Sequence, residues 1–110
     1  MKRKKCESIL VGSWNVRTLT DFSDVNRPER RTALIAKELA RYNLDIVALS
    51  ETRLADEGQL TERGGGYTFF WIGRKNTERR ESGVGFAIKS SLVQKLPGLP
   101  RGINDRLMSL

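Results

Sequence analysis

Two short apolar runs, ILVGSWN at residues 9–15 and DIVALSE at residues 45–51, flank a segment of helical periodicity. That order limits what the chain can fold into more than any other feature. In the intervening RPERRTALIAKELARYN, Thr32, Ile35, Leu39 and Tyr42 fall on one helical face, and Arg30, Lys37 and Arg41 fall opposite. Pro28 suits a first helical turn, where a missing N–H costs nothing. Asn43 suits a stop in the left-handed conformation. Strand, helix and strand with short connections predict a right-handed βαβ unit with parallel strands. Ile46, Val47, Ala48 and Leu49 do not alternate, so the second strand is expected to be buried on both faces.

Residues 52–66 show no periodicity and end in GGG, which predicts a loop. YTFFWIG then reads as a third strand and GVGFAIK as a fourth. The polar link RKNTERRES between them favours an antiparallel hairpin. In LPGLPRG, Pro97 and Pro100 bar a ladder, and DRLMSL starts a fifth strand at the end of the chain. This mixed sheet has a helix for only one face, and its last strand has nothing after it. The expectation is therefore a basic tail at 1–8 and an incomplete α/β domain over 9–110.

Of the 110 residues, 38% are hydrophobic and 30% charged, enough for a packed core under a very polar surface. Lys and Arg outnumber Asp and Glu by 20 to 13, and the net charge of +7 favours a polyanionic partner, nucleic acid above all. Cys6 is the only cysteine, so no internal disulfide forms. The MKRKK start is basic, but the apolar run behind it is too short for a signal peptide or a membrane span. An intracellular, reducing setting is expected, nuclear or cytoplasmic. The chain contains no histidine.

Parallel strands of a βαβ unit end at the same edge of the sheet, where ligands of open α/β sheets bind. The first strand delivers Asn15 and Arg17 there, and the second delivers Glu51 and Arg53. A carboxylate suits Mg²⁺, which keeps several waters and shares a substrate phosphate oxygen; guanidinium groups suit phosphate. The residues alone leave a second reading equally open, with Asn15 capping a turn and Glu51 solvated at a strand end. Trp14, Phe69, Phe70 and Trp71 are expected in the core rather than stacked on bases. Arg74, Lys75, Arg79 and Arg80 are candidates to track a phosphate backbone, diluted by Glu78 and Glu81. Gly83 to Gly85 mark strand entry, since neither a helix nor a lysine follows as in a phosphate loop.

SWNVRTL, followed some thirty residues later by DIVALSETR and then by SGVGFAIKSSL and DRLMSL, resembles the start of endonuclease/exonuclease/phosphatase domains. The similarity is nearest to the retrotransposon-derived endonucleases and the craniofacial-development-protein group, and runs from about Ile9 to Leu110. It implies the N-terminal part of a four-layer α/β sandwich, two packed mixed sheets flanked by helices, cut within the domain. It also implies an Mg²⁺-dependent phosphodiesterase, with Mn²⁺ as an alternative, that cleaves nucleic acid. By match to the motifs, Asn15 falls on the family's active-site asparagine and Glu51 on its metal-binding glutamate. Arg17 departs from the acidic residue many members carry there. The later Gly-Asp-x-Asn and Ser-Asp-His motifs are absent, so the short chain is expected to be inactive without a C-terminal half. The alternatives are a non-catalytic nucleic-acid-binding remnant and a phosphatase acting on a small phosphate ester.

Overall fold

In the computed structural model, which describes residues 9–19, 31–54, 56–73, 82–104 and 107–109, one helix packs on a five-stranded sheet. The elements are β1 (Val11–Asn15), α1 (Arg31–Arg41), β2 (Ile46–Ser50), β3 (Glu57–Glu62), β4 (Tyr67–Ile72), β5 (Val84–Lys89), α2 (Ser90–Val93), β6 (Arg101–Asn104) and β7 (Leu107–Ser109). The sheet order is β1-β2-β5-β4-β3, and β6 and β7 form a separate two-stranded sheet. β1 and β2 are parallel, from Val11 opposite Ile46 to Asn15 opposite Ser50. The β2–β5, β5–β4 and β4–β3 pairs are antiparallel. The fold is thus α/β with a mixed sheet, and the expected parallel pair and the hairpin of the third and fourth predicted strands are both present.

The core lies between α1 and one face of the sheet. Ala36 and Leu39 of the helix meet Val47 and Leu49 of β2, Tyr67 and Phe69 of β4, and Ala87 of β5. Strand register explains the set: Val47 stands opposite Ala87 and Phe69 opposite Ala87, so these side chains share a face. Thr32, Ala36 and Leu39 are spaced four and three apart and form the buried stripe of α1. The helix also runs close over the turn between β3 and β4. A Cβ at Gly65 would lie 2.5 Å from the Ala36 Cβ, so only glycine permits that approach. Near the start of the helix the buried Thr32 hydroxyl donates to the buried Glu62 carboxylate.

The end of α1 forms as its residues predict. Asn43 has φ 54°, its N–H bonds to Ala40 O at 3.1 Å and the Leu44 N–H reaches back to Leu39 O at 3.4 Å. These are the two bonds of a Schellman motif, and Leu44 packs against the core as such a motif requires. Tyr42 departs from expectation. It follows the last helical residue and is 61% exposed, with the Arg41 guanidinium 5.9 Å from its ring centre. Ala36, not Tyr42, completes the buried face.

Four further expectations need correction. β2 is not buried on both faces: Val47 and Leu49 are buried, whereas Ala48 and Ser50 are exposed, because α1 covers only one side. Residues 52–66 are not all loop, since β3 occupies Glu57–Glu62. Leu60 is its only large apolar residue, paired with Phe69, and an edge strand of that composition gives no alternation to detect. Arg101 and Gly102 belong to β6 rather than to a strand-free connection, although Pro97 and Pro100 do stay outside the ladder. Trp14 is not core. It lies on the edge strand β1, 39% exposed, beside a groove shared with Tyr42 and Glu38. Phe69 and Phe70 are buried and Trp71 packs against the core, as expected.

On the other face, Phe70 and Ile88 are buried, and the β6–β7 pair reaches β4 and β5. The Gly102 N–H donates to Glu57 Oε2 at 2.8 Å. At the amino end of β2, Asp45 accepts from Leu10 N at 2.8 Å and pairs with Lys89 Nζ at 3.5 Å. Tyr67 donates its hydroxyl to Leu44 O. Burial, with the nearby Asp45 charge, pushes the Tyr67 phenol above its usual 10.0. Among the described residues no helix is long and apolar enough to cross a membrane. Cys6, the basic tail, Pro28 and Arg30 lie outside the described residues.

Candidate active-site corner at the carboxyl ends of two parallel strands

β1 ends on Asn15 and β2 ends on Ser50, with the two residues in register. Glu51 therefore leaves the sheet one strand away from Asn15, about 5 Å across the ladder. Arg17 and Arg53 each follow two residues later and are exposed, while Glu51 is half-buried. Asp45 lies at the far end of β2, as its position before the strand predicts. The strand geometry thus brings Asn15, Arg17, Glu51 and Arg53 to one corner.

Three of those four residues have left-handed backbones: Arg17 at φ 63°, Glu51 at φ 54° and Arg53 at φ 57°. Each costs about 1 kcal/mol relative to a right-handed conformation in a residue with a Cβ. Non-glycine residues held this way concentrate where function requires a particular geometry. Backbone hydrogen bonds hold them. Val16 N donates to Ser50 O at 3.1 Å and Leu19 N to Thr52 O at 2.7 Å, joining the two strand exits. Thr52 N donates to Gly83 O at 3.1 Å and Arg53 N to Ser82 O at 2.9 Å, tying the second exit to the entry of β5.

Asn15 closes a local turn, its Oδ1 accepting the Arg17 N–H at 3.0 Å. An Asx turn of this kind satisfies a backbone donor just past a strand. It also assigns the carboxamide: because Oδ1 faces an N–H, Nδ2 points its donors elsewhere. Turn closure and site function are therefore compatible in one residue. Next to the corner, on the sheet face away from α1, lies a groove of about 270 Å³ lined by Ser13, Ser50, Val84, Phe86 and Met108, among others.

Asp56 stays in the connection before β3, as expected, whereas Glu57 does not. Glu57 opens β3 instead of sitting in the loop expected over residues 52–66, and this places it at the same end of the sheet as Glu51. The order β2-β5-β4-β3 separates the two strands by three spacings, about 14 Å. Mg²⁺ binds oxygen at roughly 2.1 Å, so Glu51 and Glu57 cannot share one cation directly. Among the described residues no group of three or more His, Cys, Asp and Glu side chains gathers into a metal site. Arg74, Lys75, Arg79 and Arg80 lie outside the described residues.

The family model of the Endonuclease/Exonuclease/phosphatase family matches residues 12–109. The match spans nearly the whole chain, including both strand exits, and the chain belongs to this family. Its members are hydrolases of nuclease or phosphatase type and generally depend on a divalent metal. No curated protein and no solved structure matches the chain.

Sequence reasoning missed the glycine-threonine contact behind Glu51. Thr52 is fully buried, and its Oγ1 has no hydrogen-bond partner among the described residues. A Cβ at Gly83 would stand 2.5 Å from that oxygen, and Gly83 itself has φ 120°. The SGVG segment carries the signal, since strand entry by itself does not require a glycine at position 83.

Proposed function

We propose that the chain is the N-terminal portion of a metal-dependent phosphodiesterase that cleaves nucleic-acid phosphodiester bonds. The observation that carries this reading is the position of Asn15 at the carboxyl end of β1, opposite Ser50, with Glu51 next after Ser50 on the parallel neighbour and Arg17 and Arg53 two residues further along each chain exit. The donor set fits Mg²⁺, which takes one or two carboxylates plus substrate phosphate oxygens and keeps its remaining waters. It does not fit zinc, which prefers histidine and cysteine. Mn²⁺ has similar oxygen preferences and could replace Mg²⁺.

Glu51 would hold the cation through its carboxylate. When bound, a divalent cation stabilises charge developing on the phosphoryl and leaving oxygens. Asn15, with Oδ1 committed to the Arg17 N–H, would direct Nδ2–H toward a phosphate oxygen or an attacking water. Arg17 and Arg53 would contact the phosphate and offset its charge. In-line attack also needs a base to take the proton of water, and the 110 residues contain no histidine. A C-terminal half of the domain would supply that group. The relation to retrotransposon-type endonucleases rests on SWNVRTL and SETR, and the net charge of +7 supports a nucleic-acid substrate.

The test joins this chain to a C-terminal half carrying Gly-Asp-x-Asn and Ser-Asp-His motifs. The joined protein should cleave DNA or RNA in Mg²⁺, and the 110-residue chain alone should not exceed a metal-only blank. Glu51→Gln in the joined protein should lose most of the activity, since Gln keeps the size and removes the charge. Undiminished cleavage by that variant would remove Glu51 from the metal site. Cleavage of a small phosphate monoester but not of nucleic acid would favour the phosphatase alternative.

A further inference from the structure

We propose that Gly83 and Thr52 are positioning residues that set the Glu51 carboxylate, so that divalent-cation affinity at the corner depends on a contact behind it. The inference rests on reading Glu51 as the cation's ligand and adds two residues to that site.

Glu51 and Arg53 are both left-handed, at φ 54° and 57°, with Thr52 between them. Neither has the freedom of glycine, so the turn must be held from outside. Thr52 is the residue through which it is held. Its N–H goes to Gly83 O, its carbonyl accepts from Leu19 N, and the next N–H, of Arg53, goes to Ser82 O. Those bonds connect the exits of β1 and β2 with the entry of β5.

The Thr52 side chain is 0% exposed and fills space that the missing Cβ of Gly83 leaves open. A methyl group at Gly83 would come within 2.5 Å of Thr52 Oγ1 and 3.2 Å of Arg53 N. Relief requires Thr52 and the Arg53 amide to move, and Glu51 is bonded directly to Thr52. At φ 120° the glycine also adopts a backbone that a side chain strains. The contact depends on shape, because Thr52 Oγ1 has no hydrogen-bond partner among the described residues. Valine at position 52 should therefore serve as well as threonine, and alanine should not.

The probe is Mn²⁺, titrated into the 110-residue chain while paramagnetic broadening of backbone amide signals is recorded by NMR. In the wild type, broadening should centre on Asn15, Ser50 and Glu51. Gly83→Ala and Thr52→Ala should each need about ten-fold more Mn²⁺ for equal broadening, the effect typical of disturbing a group that orients a metal ligand. Thr52→Val should match the wild type. A purely structural role would lower thermal stability and leave the Mn²⁺ midpoint unchanged. If Gly83→Ala fails to give a folded spectrum, Thr52→Ala decides. Wild-type midpoints in the folded alanine variants, together with a weakened Glu51→Gln, would overturn the proposal. Equal midpoints in wild type and Glu51→Gln would instead remove Glu51 as ligand. The lock would then stand if the Glu51 and Arg53 Cα shifts move in Gly83→Ala, or in Thr52→Ala where Gly83→Ala is unfolded, and fall if they do not.

Discussion

Thr52 keeps a hydroxyl in a place where a methyl group would fit. A buried polar atom without a partner carries an uncompensated desolvation cost, and an apolar group of the same shape avoids it. Thr52→Val should therefore stabilise the chain by about 1 kcal/mol, read as a higher urea midpoint with an unchanged slope. A lower midpoint would mean that the hydroxyl has a stabilising partner. Asn15 shows how two readings of one residue merge. Its side chain closes a turn onto Arg17, and that closure fixes which end of the carboxamide is left for a ligand. The sequence could place Asn15 and Glu51 at strand ends through periodicity. It could not show that Arg17, Glu51 and Arg53 are left-handed, because none of the three is a glycine that would announce such a backbone.

The elements that were legible are those with strong local signals. α1 announced itself through Thr32, Leu39 and its Asn43 stop, and β1, β2, β4 and β5 through apolar runs. β3 was hidden because its sequence, EGQLTE, contains one large apolar residue and takes its order from pairing with β4. Tyr42 misled for the opposite reason: its spacing continues the apolar stripe, but the helix stops one residue earlier. The amino end of β2 carries a prediction of its own. The folded Tyr67 phenol has its pKa raised above 10.0, so the unfolded chain loses that proton first as pH rises. Above pH 10 the folded state binds more protons than the unfolded state, and stability falls with further alkalinity. The contribution is fully present below that pH and is lost through the folded pKa. Tyr67→Phe should cost about 1 kcal/mol near neutrality by losing the bond to Leu44 O, and its disadvantage should shrink above pH 10. Urea midpoints of both proteins across that range check this, and a constant gap would count against a raised phenol pKa.

Across the whole molecule, the sheet order explains why one corner differs from the rest. Parallel pairing occurs only between β1 and β2 among the described strands, so only there do two consecutive strand exits meet. The second carboxylate at that end, Glu57, is three strands away and engaged with Gly102. In the proposed reading, a single-carboxylate site would bind a cation weakly by itself and be completed by a phosphate, while the charge of +7 would favour a polyanionic partner. These two effects respond oppositely to Mg²⁺. General screening and competition for phosphates lower nucleic-acid affinity as Mg²⁺ rises. A cation held by Glu51 and shared with a phosphate, as proposed, would raise it.

A cation-and-phosphate site formed by Asn15 and Glu51 should be visible in the fluorescence anisotropy of a short labelled DNA duplex. The duplex is bound by the 110-residue chain at constant monovalent salt while Mg²⁺ is increased. The wild type should bind more tightly as Mg²⁺ is first added, before screening reverses the trend. Glu51→Gln should show only the decline. Superimposable declines in the two proteins would contradict the account and leave the corner a pair of strand ends without a cation site.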